Sequence, residues 1–192
     1  NADSNLNLAN ITGSASISKA SKGAGVGIGT VVNVINNIVI AGIEDTIISK
    51  SKSVNVNAKE TEVLQFLAAN LGFNAGVDAK HVGVYPNAIV SVLDSDIKSY
   101  ITGGSVTSDG NVASKAAYDS DIKGITAVLA SDGFVVGGNI VSNVLTNSTT
   151  SNVNSTVSAG GQLSSVAEAD ENIDVIAAGA AISSGKLAVA AN

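Results

Sequence analysis

One stretch near the amino terminus comes back twice further along the chain, and this repetition limits the possible folds more than any other feature. The stretch runs from Val31 to Lys59 and reads VVNVINNIVIAGIEDTIISKSKSVNVNAK. Degenerate copies follow at Ile89–Lys115 and Val141–Ala169. Repeats of this kind form units that cannot bury an apolar face alone and therefore stack on one another.

Two sets of aliphatic anchors align the copies. Val34 aligns with Val92, and Val92 aligns with Val144, so the first step along the chain is slightly longer than the second. A second pair of anchors keeps the same internal spacing in every copy: Val54 and Leu64, Val112 and Ile122, Leu163 and Ile173. The period is inexact, and we expect the difference to lie in loops such as Gly103–Asn111, where extra residues cost little closure entropy.

The composition favours strands over helices. Hydrophobic residues make up 45% of the chain but aromatic residues only 3%, and there is no Trp, Cys or Met, so the core is aliphatic. Val and Ile are stiff at χ1 and suit a pleated surface. Only one Pro is present to remove a hydrogen-bond donor from a sheet, whereas 20 Gly are available for corners and bulges.

These features predict an all-β chain folded as a parallel β-helix, or β-solenoid, with a β-sandwich as the alternative. Residues 1–192 form one unit with degenerate repeats at approximately 1–25 (partial), 26–80, 81–134 and 135–192. If each coil takes ~20 residues, as in many repeat architectures, the chain makes about nine coils. At ~4.8 Å between paired strands, the result is a rod roughly 45 Å long.

Alternation along the chain predicts which side chains point inward. Val32, Val34, Ile38 and Ile40 are expected to face the core on either side of a turn at Asn36-Asn37. We expect Ala15 and Ile17 to continue an earlier strand, the segment Tyr85-Pro86-Asn87 to form a corner, and Asp132-Gly133 to form a turn.

Three segments allow more than one interpretation. Residues 60–73 carry apolar side chains at helical spacing, so a helix at 60–71 competes with the strand that the other copies favour. Residues 146–158 are almost all Ser, Thr and Asn, which fits either a linker or stacked polar columns. Alternate glycines at 23, 25, 27 and 29 do not match the phosphate-binding G-x-G-x-x-G pattern, and we interpret them as small residues on one face of a strand or at a tight corner.

Charge excludes some classes of partner. The formal net charge is −6 with 14% charged residues, and no basic stripe is present to bind nucleic acid. No apolar run approaches the roughly 18 residues that a membrane-spanning helix needs, so we expect no membrane-spanning segment in this chain. The chain starts and stops within the repeat pattern, and we interpret it as an internal fragment of a longer protein whose exposed sheet edges permit end-to-end association.

No residue cluster specifies a reaction, and we assign no catalytic, cofactor-binding or metal-binding residues and no cofactor. His81 is the only histidine, which leaves no pair for a metal or nucleophile site. Asp94 with Asp96, and Asp119 with Asp121, have the spacing for Ca²⁺ or for acid–base work on a sugar, but we favour solvated acids at turns. The same solvated interpretation applies to the acidic cluster Glu168, Asp170, Glu171 and Asp174, and the three N-x-S/T sequons at Asn10, Asn147 and Asn154 are expected by chance.

The segment GIGTVVNVINNIVIAGI (Gly27–Ile43), followed by VNVNAKE, resembles the passenger repeats of large Gram-negative type V-secreted exoproteins. These are filamentous haemagglutinin-like, haemolysin-like or leukotoxin-like adhesins and autotransporters. The resemblance implies a right-handed parallel β-helix at the cell surface or outside the cell, secreted or anchored to the outer membrane. It implies a non-catalytic structural and binding segment of an adhesin or toxin, whose partner is a host or bacterial surface receptor, protein or glycan. The alternative is a β-helix enzyme, a glycosidase or lyase acting on a polysaccharide.

Overall fold

A computed structural model describes residues 1–18, 23–74 and 81–191 as a single eight-stranded sheet system. The strands are β1 (Ala2–Ser18), β2 (Gly23–Val26), β3 (Gly29–Glu44), β4 (Ile47–Ser51), β5 (Val54–Asn74), β6 (His81–Ser108), β7 (Val112–Ala159) and β8 (Leu163–Ala191). Strands account for 92% of the described residues, which contain no helix. The competing helix at 60–71 is therefore not formed, because these residues lie within β5.

Every strand pairs in parallel with the strand that occupies the same place one turn of the chain later. β1 pairs with β5, β2 to β4 pair with β6, β5 and β6 both pair with β7, and β7 pairs with β8. The chain thus winds in four layers: residues 2–51, 54–108, 112–159 and 163–191. This is the parallel solenoid that the repeats predict; the sandwich alternative, which consists of antiparallel sheets, is wrong.

Each layer has two arms that face each other across the interior. The first sheet stacks β1, β5, residues 112–131 of β7 and the first part of β8. The second sheet stacks β2 to β4, β6, residues 134–159 of β7 and residues 187–191 of β8. In the third layer the chain passes from the first sheet to the second at residues 132–133. Successive layers are joined at the other end through turns at 109–111 and 160–162.

The pairing confirms the alignment of the copies residue by residue. Val34 pairs with Val92, and Val92 pairs with Val144. The second anchors also stack, as Val54, Val112 and Leu163 in one column and Leu64, Ile122 and Ile173 in another. A one-residue register shift occurs between Thr102 and Ser105, within the predicted loop, but the main change to a shorter step falls between Phe73 and Val82.

The expected coil length is wrong. Each copy forms one coil, instead of coils of ~20 residues, because both arms are long: β5 alone has 21 residues. At ~3.3 Å per residue that arm is about 70 Å long, whereas four layers at ~4.8 Å span only about 14 Å from the first strand to the last. The molecule is a broad, flat stack instead of a narrow rod of nine coils.

Inward side chains pack as three aliphatic clusters between the sheets. The largest surrounds Ile97, Ile101 and Val112, the second surrounds Leu64, Ile89 and Ile122, and the third lies around Tyr85 and Val135. Burial alternates along both arms of the second layer: even positions are inward on β5, and odd positions are inward on β6 as far as Ile101. After the register shift the inward positions of β6 are even, Val106 and Ser108.

The predicted inward face of β3 is inverted. Val32, Val34, Ile38 and Ile40 are exposed, and the inward positions are Val31, Asn33, Val39 and Ala41. Ile17 and Ala15 likewise point outward. Apolar residues stand at both odd and even positions here, so alternation alone does not distinguish the two faces.

Two predicted turns are also wrong. The strand β3 runs straight through Asn36-Asn37, and β6 runs through the segment Tyr85-Pro86-Asn87, whose first and last side chains are buried. The bend in the second sheet lies instead at Gly103 and Gly104, which adopt positive φ values of 66° and 53°. A side chain at either position would also meet atoms of Asp45 or Thr46 in the layer below. At Asp132-Gly133 the pairing changes from the first sheet to the second, although the segment stays within β7.

Buried glycines make room for Tyr85. Gly25 and Gly27 are inward and buried, as the alternating glycines predict, and a Cβ on Gly25 would lie 2.4 Å from the Tyr85 hydroxyl. On the opposite arm, a Cβ on Gly72 would lie 2.0 Å from Cζ of the same ring. The large ring therefore fills the space that these glycines leave open.

The Ser/Thr/Asn-rich segment 146–158 is strand, not linker. Val153 stacks on Ile101 and Val157 on Val106, in register with the previous layer. Inward hydroxyls form a ladder between the sheets: Ser99 and Ser114 lie 2.7 Å apart, Ser151 donates to the Ser114 carbonyl at 2.9 Å, and Ser151 and Ser165 lie 2.9 Å apart. Polar columns of this kind satisfy one another, which is what the stacking interpretation predicts.

Replacing Gly72 tests the packing of Tyr85. We expect Gly72→Ala to lower the free energy of unfolding by about 1–3 kcal/mol, because the new methyl group overpacks against the ring. In a double-mutant cycle, Tyr85→Leu should recover part of that loss, giving a measurable coupling energy by urea denaturation. Gly138→Ala, whose Cβ would lie 3.3 Å from the nearest atom, is the control. Additive effects of the Gly72 and Tyr85 changes would contradict this packing.

Candidate functional site

Two glutamates lie inside the solenoid with no solvent exposure. Glu60 and Glu62 point inward from β5, two residues apart, and each is 0% exposed. They separate the aliphatic cluster around Ile97 from the one around Leu64. Ionised carboxylates are rarely buried unless they are paired or hydrogen-bonded, so this acid pair is the most unusual chemical feature of the interior.

Neighbouring layers supply hydrogen-bond donors to the acid pair. Asn37 of the first layer donates through Nδ2 to Oε1 of Glu62 at 2.8 Å, and the same amide donates to Oε1 of Glu60. Tyr118 of the third layer donates its hydroxyl to Oε2 of Glu62 at 2.8 Å, and Ser95 approaches Oε1 of Glu62 at 3.4 Å from the facing arm. Among the described residues, Oε2 of Glu60 has no hydrogen-bond partner. A shared proton between the two carboxyl groups would satisfy that oxygen.

The environment favours a neutral Glu60. Burial, together with the hydrogen bond to Glu62 and the negative charge of Glu62, raises the pKa of Glu60 to about 7, against the opposing effect of the Asn37 amide. Burial also raises the pKa of Tyr118 to about 12, so its hydroxyl stays protonated as a donor to Glu62. The groups that face the pair are thus a phenol, an amide and a hydroxyl, and no cation faces it among the described hydrogen bonds and ion pairs.

A second polar band separates the aliphatic cluster around Leu64 from the one around Tyr85. Its amides bind backbone carbonyls of the opposite arm or of another layer: Asn70 donates to Pro86 O at 2.8 Å, Asn87 to Ala127 O at 2.8 Å, and Asn139 to Ala178 O at 2.8 Å. These neutral groups bond with fixed partners. Of these two polar bands, only the one formed by the acid pair holds titratable groups, and it can therefore store a proton. Because both glutamates are fully buried, the pair offers no open surface to a substrate.

The two surface acid pairs lie on opposite outer faces of the stack. Asp94 and Asp96 project from β6 in the second sheet, and Asp119 and Asp121 from β7 in the first. Asp96 forms an ion pair with Lys98, and Asp121 forms one with Lys123. Asp94 and Asp119 are exposed, whereas Asp96 and Asp121 are half-buried, and Oδ1 of Asp96 is buried without a hydrogen-bond partner among the described residues. All four acids lie within strands, not at turns, and the fold does not bring the two pairs together.

The remaining sequence candidates lie apart from the acid pair. Glu168, Asp170 and Asp174 are exposed on the outer face, where Glu168 lies 2.7 Å from Lys115. Glu171 points inward in the outermost layer and accepts a hydrogen bond from Asn147 at 3.3 Å. Asn10, the first residue of one sequon, also points inward and donates to Asn33. The side chain of His81 lies outside the described residues.

In 1–18, 23–74 and 81–191 no group of three or more His, Cys, Asp or Glu side chains is arranged to hold a metal ion. In the same ranges no helix has the length and apolarity needed to cross a bilayer.

Sequence reasoning missed the acid pair because β5 resembles a helix. The segment ETEVLQFLAANLGF has its acids at 60 and 62, in phase with Leu64, Phe66 and Ala68 on the inward face. The signal that reveals the pair is the alternation itself, which places both acids on the apolar side. The polar pair Tyr118 and Ser120 occupies the same columns in the next copy.

No protein-family model, curated protein or solved structure matches the chain. The function is therefore argued from the residues and their arrangement.

The acid pair predicts a stability that depends on pH. Because the folded state raises the pKa of Glu60 from 4.5 to about 7, it binds a proton that the unfolded chain releases between these values. The free energy of unfolding should therefore fall as pH rises from about 5 to about 7.5, by up to about 3 kcal/mol. Urea denaturation across this range measures the effect. Glu60→Gln should remove the slope and be more stable than the native chain at pH 8, whereas Asp96→Asn, on the outer face, should keep the slope. An unchanged slope in Glu60→Gln would contradict the assignment.

Tyr118 should matter most when both acids are charged. Removing its hydroxyl in Tyr118→Phe takes a donor from the buried Glu62 carboxylate, which costs about 1–3 kcal/mol. We expect a larger loss at pH 8 than at pH 5, measured by the same denaturation. Tyr100→Phe, which alters a partly exposed ring, serves as the control. Equal effects of the two substitutions would show that the Tyr118 hydroxyl does not support the acid pair.

Proposed function

We propose that the chain is a non-catalytic structural and binding segment of a secreted or cell-surface bacterial adhesin or toxin. The proposal rests on the filled interior of the solenoid. In the two middle layers, packed or hydrogen-bonded side chains occupy the inward positions, so the outer faces are the surfaces left for recognition. The resemblance of Gly27–Ile43 to type V-secreted exoproteins supplies the expected location, at or outside the surface of a Gram-negative cell.

The charged half of the outer face of the first sheet is a shallow polar surface. We propose that a receptor, either a protein or a glycan, binds there. Lys59, Lys115, Asp119, Glu168 and Asp170 surround a depression of about 330 Å³ on this outer face. Neighbouring charges of opposite sign, such as Lys115 and Glu168, suit a polar partner more than an apolar one.

The outermost strands support the expected end-to-end association. Among the described strands, β1, β3 and β8 each pair on one side only, which leaves rows of backbone N–H and C=O groups without a strand partner in this structure. Such edges can accept a strand from another chain. Among the described strands, residues 140–159 of β7 pair with β6 alone, and their inward side chains are half-buried.

Several observations weigh against the alternative of a polysaccharide-acting enzyme. The surface acid pairs are on opposite faces, and one acid of each pair is engaged by a lysine. Acid–base cleavage of a glycosidic bond needs two carboxyl groups within about 10 Å on one side of a groove. Phe66, Tyr85 and Tyr118 are buried and cannot form a sugar platform. The exposed rings of Phe73 and Phe134 lie at least ten residues along the strand from the surface acids, which leaves the half-buried Tyr100 as the described ring on the face of Asp94 and Asp96.

An assay on acidic polysaccharides and on cells tests the proposal. We expect the purified chain to bind cells or surface glycans and to leave the polysaccharides uncut, with no change in Asp94→Asn and Asp96→Asn. Polysaccharide cleavage that those two variants lose would reverse the ranking in favour of an enzyme. Absence of cell binding would restrict the segment to a spacer, with recognition elsewhere.

A further inference from the structure

One aromatic ring lies on the outer face of the second sheet with a glycine under it. Tyr100 points outward from β6 and is half-buried, and Gly42 is its pairing partner in the preceding layer. A Cβ on Gly42 would have Cζ, Cε2 and Cε1 of the Tyr100 ring as its three nearest atoms, all within 2.8 Å. Because the hydroxyl oxygen is not among them, Gly42 lies under the face of the ring and not at its tip. The ring therefore lies along the sheet surface, with one face on Gly42 and the other toward solvent.

Inside the solenoid the same pairing of a ring with a glycine serves packing. Gly72 makes room for Tyr85, and a Cβ on Gly124 would overlap the ring of its pairing partner Phe66. Both of these rings are enclosed by the core. Tyr100 has no core to fill, and a tyrosine on an outer face is free to extend into water. Its contact with Gly42 instead fixes the orientation of an exposed aromatic surface.

Polar side chains from three layers surround the open face of this ring. Together with Tyr100 they line a shallow depression of about 350 Å³, formed by Glu44 of the first layer, Lys98 and Thr102 of the second, and Thr150 and Asn152 of the third. Glu44, Thr150 and Asn152 are exposed, so a carboxylate, a hydroxyl and an amide can exchange water for hydrogen bonds to a ligand. The depression lies on the face of the sheet, and it does not involve the edges of the outer strands.

We propose that this depression binds a neutral pyranose sugar, with the apolar face of the sugar on the Tyr100 ring. One side of a pyranose presents C–H groups, which suit the negative face of an aromatic ring, and its rim presents hydroxyl groups that need donors and acceptors. The flat ring supplies the first contact, and Glu44 and Asn152 supply the second. An apolar peptide side chain would use the ring alone and leave the polar groups without partners.

The charges at the depression select against acidic sugars. Lys98 forms an ion pair with Asp96, which compensates its positive charge. Glu44 belongs to none of the ion pairs between described residues, so its carboxylate leaves the site with negative charge. A uronic or sialic acid would meet that carboxylate as a like charge, which disfavours binding. The hydroxyl groups of a neutral sugar can donate to it.

Asp96 is too far from Glu44 to make the depression a catalytic site. Ile38, the pairing partner of Asp96, lies six residues before Glu44 in β3. The separation is about 20 Å at ~3.3 Å per residue, whereas acid–base cleavage of a glycosidic bond needs carboxyl groups within about 10 Å. The site is also on the opposite sheet from the receptor surface proposed above. Sugar binding here and receptor binding there therefore stand or fail separately.

Saturation-transfer NMR with the whole chain tests the choice of ligand. The probes are four neutral disaccharides, lactose, cellobiose, chitobiose and mannobiose, and one acidic disaccharide, digalacturonate. We expect transfer from the protein to the C–H protons of at least one neutral probe and none to digalacturonate. No transfer to any of the four neutral probes would overturn the proposal, and so would equal transfer to digalacturonate. Cell binding is not needed for this measurement, so a negative cell assay leaves its result interpretable.

Variants of the ring and its glycine test the geometry. Tyr100→Ala should weaken the affinity for the bound disaccharide at least tenfold, whereas Tyr100→Phe, which keeps the ring, should stay within about threefold of the native chain. Gly42→Ala should also weaken binding, because the new methyl group displaces the ring from the surface. It should not lower the urea midpoint, since both residues lie on the outer face. Native affinity in Gly42→Ala or in Tyr100→Ala would overturn the site.

An asparagine pair tests the polar contacts. Asn152→Ala should weaken the affinity about threefold to tenfold through loss of a hydrogen bond. The control is Asn36→Ala, an exposed asparagine on the same face whose column lies six residues along the strand, and it should bind like the native chain. Circular dichroism checks that both variants keep their strands. Equal losses in the two variants would overturn binding at the depression.

Discussion

Parallel stacking in register is the constraint on which the rest of the structure depends. Each residue lies above its counterpart in the previous turn of the chain, so every inward position becomes a column that several layers share. A column is stable only if its members are compatible with one another. Aliphatic columns make the three clusters, hydroxyl columns make the ladder of Ser99, Ser114, Ser151 and Ser165, and Tyr85 requires the small residues that face it.

The acid pair shows how the same constraint treats charge. Two carboxylates on one inward face would repel each other in a medium that screens poorly. Glu60 and Glu62 are held together because Asn37 and Tyr118, from the layers on either side, direct donors at them and because burial favours the protonated form of Glu60. A proton on Glu60 therefore removes one of the two negative charges, whereas in other buried acid clusters a lysine or a metal ion balances them.

The sequence predicts the stacking but not the dimensions or the orientation of the strands. Anchor residues such as Val92 and Ile122 identify their partners correctly, because matching columns is a direct consequence of pairing in register. Alternation predicts the wrong inward face for β3, because both faces of this strand carry apolar residues. The charged residues of the next copy identify the outward face, since Asp96 pairs with Ile38 and Lys98 with Ile40. The predicted coil length is too short because residues typical of turns, at Asn36-Asn37 and Tyr85-Pro86-Asn87, lie within long strands. The acid pair is missed because β5 also satisfies a helical period.

The length of one coil has a consequence for how the chain reaches this structure. No strand can find its neighbour until a whole further turn of the chain is present, so pairing closes a very long loop before it gains any hydrogen bonds. Non-local pairing of this kind gives slow folding. Once two layers exist, however, an edge with its side chains already in place is available as a template. The first turn should therefore be the kinetic barrier, with later turns added by propagation.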